Sequence, residues 1–167
     1  MAAIAVGDAL REAAGLVTDI KWPNDLLSGE RKICGILAEA MDTPAGRAVI
    51  LGIGINLTQS AFPPELADVA TSVEASGQPV EREQILAALL DALSRWYALL
   101  ENPAQIVDAW SNRSSYAIGK LVQVSNGDDV WQGTTCGVES DGALRLRTSS
   151  GEIKIVRAGD VYSVRSS

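Results

Sequence analysis

The stretch from Ala48 to Leu57 ends in an alternation, Gly52-Ile53-Gly54-Ile55-Asn56-Leu57, that constrains the fold more than any other part of the chain. Side chains in a strand point alternately to its two faces. Extended, this stretch therefore carries Gly52, Gly54 and Asn56 on one side and Ile53, Ile55 and Leu57 on the other. The isoleucine side has to be buried. Glycine inside a strand costs chain entropy and packing, and is found where a ligand or another backbone comes close. A strand with one greasy face and one face of bare backbone ending in an amide reads as the floor of a small-molecule pocket.

Two motifs precede it, Lys21-Trp22-Pro23-Asn24-Asp25 and Arg31-Lys32-Ile33-Cys34-Gly35-Ile36-Leu37. Leu16 to Trp22 reads as a strand that Pro23 terminates, with Asn24 and Asp25 in the turn. Ser28-Gly29-Glu30 makes a hairpin tip, and the chain returns through Ile33 to Met41 before turning again at Thr43 to Gly46. The result is an antiparallel meander of three strands. Strict alternation sets Lys32 on the face opposite Gly35, and a twist or bulge near the tip is what would bring the two together. Taken alone, Lys32 beside Arg31 and Glu30 reads as a solvated charge, and Trp22 and Trp110 read as packing residues.

Ala2 to Ala14 has helical periodicity, with Gly15 as its stop. The clearest helix runs from Glu81 to Leu100. Its apolar stripe, from Ile85 through Leu89 and Leu93 to Leu100, reads as core packing. Asn102-Pro103 opens a short helix through Trp110. Beyond Ser115 come five short apolar runs divided by Asn126-Gly127, Asp141-Gly142, Ser150-Gly151 and Gly159-Asp160, the dipeptides of tight hairpins. Such spacing suggests a small barrel. The chain thus divides into residues 1–115 and 116–167.

The net charge is -7, and all of it lies in the first part: 15 acidic against 8 basic residues up to Ser115, 6 against 6 afterwards. An acidic chain lacks the basic face of a nucleic-acid binder. There is no histidine, which excludes Ser-His-Asp and Cys-His nucleophile systems and histidine-ligated zinc. Cys34 and Cys136 have neither metal-ligand spacing nor the look of a disulfide framework, which suits a reducing, cytoplasmic setting. The apolar start from Ala2 to Val6 is interrupted by Asp8, Arg11 and Glu12, too soon for a membrane span or signal region.

The three motifs, in this order and spacing and followed by a helix and a small terminal barrel, resemble the biotin protein ligase family. These enzymes attach biotin to the carboxyl carrier domain of acetyl-CoA carboxylase. The resemblance covers essentially the whole chain. It implies an α+β fold, mostly antiparallel sheet with helices, similar to part of a class II aminoacyl-tRNA synthetase core, plus a C-terminal barrel similar to a Src-homology-3 fold. Lys32 matches the family's catalytic lysine, which contacts the biotin carboxylate and the phosphate it attacks. Lys32, Gly35, Ile36, Leu37, Gly52 and Gly54 match the biotin pocket. Lys21, Trp22, Asn24, Asp25 and Asn56 match the nucleotide side, with Asp25 toward its magnesium. Asp160 and Arg165 match a charged pair near the end of the barrel. The implied ligands are biotin, ATP and Mg2+, and the implied partner is the biotin carboxyl carrier protein.

The chemistry suits those residue types. A carboxylate attacking the α-phosphate of ATP brings two anions together, and a cation fixed between them lowers the repulsion. Lys32 would be that cation. Magnesium takes hard oxygen ligands, which Asp25 or Asn24 can supply or orient. The family's upstream Gly-Arg-Gly-Arg-x-Gly-Arg loop, its first strands and any helix-turn-helix domain have no counterpart here. The expectation is the C-terminal part of a ligase, either active within a complete enzyme or a non-catalytic remnant acting as a binding or interaction module. Missing neighbour strands would leave a sheet edge open, and open edges invite pairing with a second copy, hence a homodimer.

Overall fold

The structure is a computed structural model that describes residues 1–58, 63–77, 81–127 and 129–164 of the 167. Helix α1 (Ala2–Ala14) buries Ile4, Val6, Ala9 and Leu10 and stops at Gly15, whose φ of 62° only glycine adopts at ease. There the N–H of Gly15 donates to Arg11 and that of Leu16 to Leu10. Strands β1 (Asp19–Lys21), β2 (Asp25–Ser28), β3 (Arg31–Thr43) and β4 (Gly46–Ile55) form one sheet, antiparallel and in chain order. The expected meander has four strands, not three. Pro23 has no N–H for a ladder, so β1 ends early, and Asp25–Ser28 runs back along it with Asp19 opposite Leu27 and Lys21 opposite Asp25. Asp25 therefore sits in a strand and not in the turn.

One face of the sheet is greasy, as the alternation requires. Ile36, Ile53, Ile55 and Leu57 pack with Val6 and Leu10 of α1 and with Ile85 and Leu89 of α2 (Arg82–Tyr97). Helix α2 contradicts the reading of its whole stripe as core. Ile85, Ala88, Leu89 and Ala92 are buried, whereas Leu86, Leu90, Tyr97 and Leu100 are exposed. An acid in α1 pins the helices: Asp8 accepts from Trp96 Nε1 at 2.9 Å and from Arg113 at 3.2 Å. Helix α3 (Pro103–Ser111) starts after Asn102 as expected, but the Asn102 side chain makes no capping bond.

Strands β5 (Ile118–Asn126), β6 (Asp129–Val138), β7 (Leu144–Arg147), β8 (Ile153–Val156) and β9 (Asp160–Ser163) form a second antiparallel sheet in the order β8-β7-β6-β5-β9. Gly159 (φ 137°) lets β9 pass β5: a Cβ there would lie 2.5 Å from the Ser125 carbonyl oxygen. Val122, Val124, Leu144, Leu146, Val156 and Val161 fill its interior, and Trp22 and Leu27 of the first sheet enter the same cluster. The Trp22 indole donates to the Gly142 carbonyl at 2.9 Å. The outer edge of β1 is covered too. Ile20 N–H donates to Arg113, Ser114 Oγ donates to Ile20, and Asp19 accepts from the backbone and hydroxyl of Ser115. The far edge, β4, has no partner strand among the described residues. None of the described helices is long and apolar enough to cross a membrane.

Candidate functional site

The strand geometry around Lys32 is set by a bulge. In the β2–β3 ladder Leu26 faces Cys34 but Leu27 faces Lys32, so Ile33 is an extra residue with no opposite number. A bulge of this kind bends the strand and re-aims the side chains before it. Ile33 and Cys34 consecutively enter the core, and Lys32 falls on the same face as Gly35. That removes the conflict which strict alternation poses.

Lys32 lies along the backbone of Gly35. A Cβ on Gly35 would stand 3.1 Å from both Lys32 Cε and Nζ, so a glycine here is what allows the lysine to lie flat. Its Nζ reaches Asp25 Oδ1 at 2.6 Å, with the lysine side chain about half exposed and the aspartate mostly shielded. The pair borders an open cleft of about 570 Å³ lined by Asn24, Asp25, Lys32, Gly35, Ile36, Leu37, Gly52, Ile53, Gly54 and Asp160. Gly35 faces Gly54 and Leu37 faces Gly52 in the β3–β4 ladder, so three glycines floor the cleft between the lysine and Leu37. A charged group at one end, bare main chain in the middle and an exposed leucine at the other suit a ligand with an acidic end and an apolar body.

All six residues expected around biotin thus meet in this cleft, together with Asn24 and Asp25 from the nucleotide set. The other three expected nucleotide residues lie elsewhere. Trp22 is buried against the second sheet and lines a separate cavity with Pro23, Trp110 and Arg157. Lys21 lies in a further cavity, its ammonium 5.7 Å from the Tyr162 ring centre. The Asn56 side-chain nitrogen donates to the carbonyls of Lys32 and Thr71 at 3.3 and 3.1 Å. Asp160 reaches the cleft from β9, whereas Arg165 falls outside the described residues.

Sequence reasoning missed the cavity beyond the Lys32–Asp25 pair. These two residues also wall a space of about 580 Å³ shared by Lys21, Tyr116, Lys120 and Tyr162. Lys120 stacks its ammonium 4.0 Å from the Tyr116 ring and donates to Ser115. Burial pushes the Tyr116 hydroxyl above its usual range, and the Asp19 carboxylate adds to this. Tyr116, Lys120 and Tyr162 come from the barrel or its approach, and no spacing in the sequence ties them to Lys32. The described residues contain no cluster of three acidic, cysteine or histidine side chains able to hold a metal ion, so a divalent cation here would depend on Asp25 and on ligand oxygens.

Comparison with known proteins shows the family. Residues 1–56 match the biotin/lipoate A/B protein ligase family, and residues 117–163 match the biotin protein ligase C-terminal domain. The bifunctional ligase/repressor BirA of Bacillus subtilis is 37% identical over 166 residues, covering 95% of this chain and 50% of that protein. The biotin–[acetyl-CoA-carboxylase] ligase of Paracoccus denitrificans is 33% identical over 171 residues, covering 97% of this chain and 70% of that protein. An apo biotin protein ligase from Aquifex aeolicus superposes with a TM-score of 0.83 at 27% identity, over 99% of this chain and 73% of that one. The same enzyme in complex with biotin and ATP gives 0.81, over 99% and 69%. The chain spans about half the length of the BirA relatives, and both of its sheets lie within the match. It belongs to the biotin protein ligase family.

Proposed function

We propose that this chain carries the activation site of a biotin–[acetyl-CoA-carboxylase] ligase, in which Lys32 draws the biotin carboxylate onto the α-phosphate of ATP. The observation that carries the reading is the Lys32 ammonium lying over Gly35, at the head of a cleft floored by Gly35, Gly52 and Gly54. Support comes from the Paracoccus relative, which bears that activity in its name, and from the Aquifex complex with biotin and ATP.

In this reading the valeryl chain of biotin runs along the glycine floor toward Leu37. Its carboxylate displaces Asp25 from Lys32. The lysine then faces the attacking oxygen and the phosphate together, where a preset cation stabilises the charge that builds between them. The carboxylate oxygen bonds to phosphorus and pyrophosphate leaves; a lysine amine of the carrier protein then attacks the acyl carbon of the mixed anhydride, forming the amide and releasing AMP and a proton. Asp25, released from its ion pair, would be the carboxylate to help hold a magnesium ion that offsets the charge of the nucleotide phosphates. The reading includes the class II synthetase-like core and the division at residue 115.

The test is biotin-dependent exchange of labelled pyrophosphate into ATP, run on the chain alone and with the upstream ligase segment supplied separately. The reading requires exchange in at least one format and its abolition by Lys32→Ala without unfolding. Persistent exchange in that variant, or none in either format, contradicts it. A second reading, self-association, has its own observation: the edge strand β4, without a partner strand among the described residues, carries exposed Val49, Ile50 and Leu51, and Leu37 and Met41 of β3 are exposed as well.

A further inference from the structure

We propose that Asn56 and Asn24 are positioning residues that brace the two ends of the β3 bulge and thereby aim Lys32 at the cleft. This goes beyond the nucleotide contacts expected of them, and it rests on Lys32 being the reacting cation.

The need for a brace follows from the pairing. A bulged residue is left without a ladder partner, and a buried carbonyl without a hydrogen bond is costly. The β3–β4 ladder begins only at Cys34 opposite Ile55, so the carbonyls of Lys32 and Ile33 lie beyond its end. Asn56, the residue after β4, answers the Ile33 carbonyl and adds a second donor to the Lys32 carbonyl, which already accepts the Thr71 N–H in a bridge to Ala70. Its backbone N–H donates to Ile33 at 2.9 Å and its side-chain nitrogen donates to Lys32 at 3.3 Å. The same nitrogen donates to Thr71 at 3.1 Å, whose own N–H donates to Lys32 at 2.8 Å. Lys32 N–H in turn donates to Val69 at 2.8 Å, and Val73 N–H donates to Asn56 at 2.9 Å. The Asn56 amide therefore clamps a backbone bridge between the bulge and the segment 69–73, bonding one carbonyl on each side of it.

At the other end Asn24 does the same. Its side-chain nitrogen donates to the Ile36 carbonyl at 2.7 Å, and the Ile36 N–H donates to the Asn24 carbonyl at 2.9 Å. The five residues from Lys32 to Ile36 are thus held at both ends by asparagine amides. The chemistry selects the residue type. A side chain that gives two N–H groups to two carbonyl oxygens cannot be aspartate, which has only acceptors at neutral pH.

The test reads Lys32 directly. Trace acetylation with acetic anhydride, quantified by peptide mass spectrometry, gives the reactivity of Lys32 relative to Lys154 within the same molecule. Lys154 lies on β8, over the Trp131 ring, away from the cleft. Losing the aim frees Lys32 from Asp25, so Asn56→Asp and Asn56→Ala raise the ratio about two- to fivefold, the span of an exposed ion pair, toward the value of Asp25→Asn. Asn24→Ala shifts it in the same direction. An unchanged ratio in whichever of these variants keeps a native cooperative melt overturns the proposal, since a merely structural asparagine lowers the melting temperature and leaves the ratio alone. Biotin protection of Lys32 in the unmutated protein is read in the same experiment. Its absence counts against the ligase reading and leaves the brace result standing.

Discussion

Gly35 and Cys34 are neighbours with opposite tasks. Gly35 must stay bare, because its Cβ would meet the end of the Lys32 side chain at 3.1 Å. The lysine end is flexible, so Gly35→Ala folds with a loss of about 1 kcal/mol or less. Its Lys32 is displaced from the cleft, which a rise in Lys32 acetylation reports. Cys34 is fully buried, and desolvation pushes its thiol from about 9 up to about 12, outweighing the nearby Lys32 charge. Its folded pKa is above the unfolded one, so its contribution to stability is intact below pH 9 and is lost as the pH climbs toward 12. Above pH 9 the wild type should lose up to about 1.4 kcal/mol per pH unit more than Cys34→Ala, as measured by urea melts. At this scale the lysine and the glycines are legible in the sequence, since only glycine gives bare main chain. The bulge is not, because it is the pairing of Leu26 and Leu27 with β3 that decides which residue is extra.

Among the elements, α1 and its glycine stop follow directly from apolar spacing and the left-handed freedom of Gly15. Strand β2 does not, because four residues after a proline carry no period of their own and gain a partner only from Asp19 to Lys21. Helix α2 shows the limit of a hydrophobic stripe. It packs one side against α1 and exposes Leu86 and Leu90, and its sequence does not say how wide the contact will be. The two sides should differ in denaturant melts. Leu89→Ala leaves a cavity in the core and costs about 2–4 kcal/mol. Leu90→Ala, on a side chain already exposed, stays within about 0.5 kcal/mol.

For the whole molecule, the five strands of the second sheet are readable from turn dipeptides, but their junction with the first sheet is not. Trp22 belongs to a motif beside the cleft, yet its ring sits in the core of the second sheet and its indole holds Gly142. A tryptophan in a functional motif is thus a joint, placing Asn24 and Asp25 by anchoring the residue before Pro23. The opposite side of the first sheet ends at β4 with exposed Val49, Ile50 and Leu51. If that edge pairs two copies, sedimentation velocity shows a concentration-dependent dimer that Ile50→Lys returns to monomer, by charging the edge. A monodisperse monomer at high concentration removes that reading. In the proposed function Lys32 and the glycine floor together receive a carboxylate. The most direct measurement of this is an amide NMR titration with biotin and with biotin methyl ester. Shifts are expected at Gly35, Gly52 and Gly54 that require the free acid and vanish in Lys32→Ala. Shifts elsewhere only, or equal shifts with the ester or in Lys32→Ala, would contradict it.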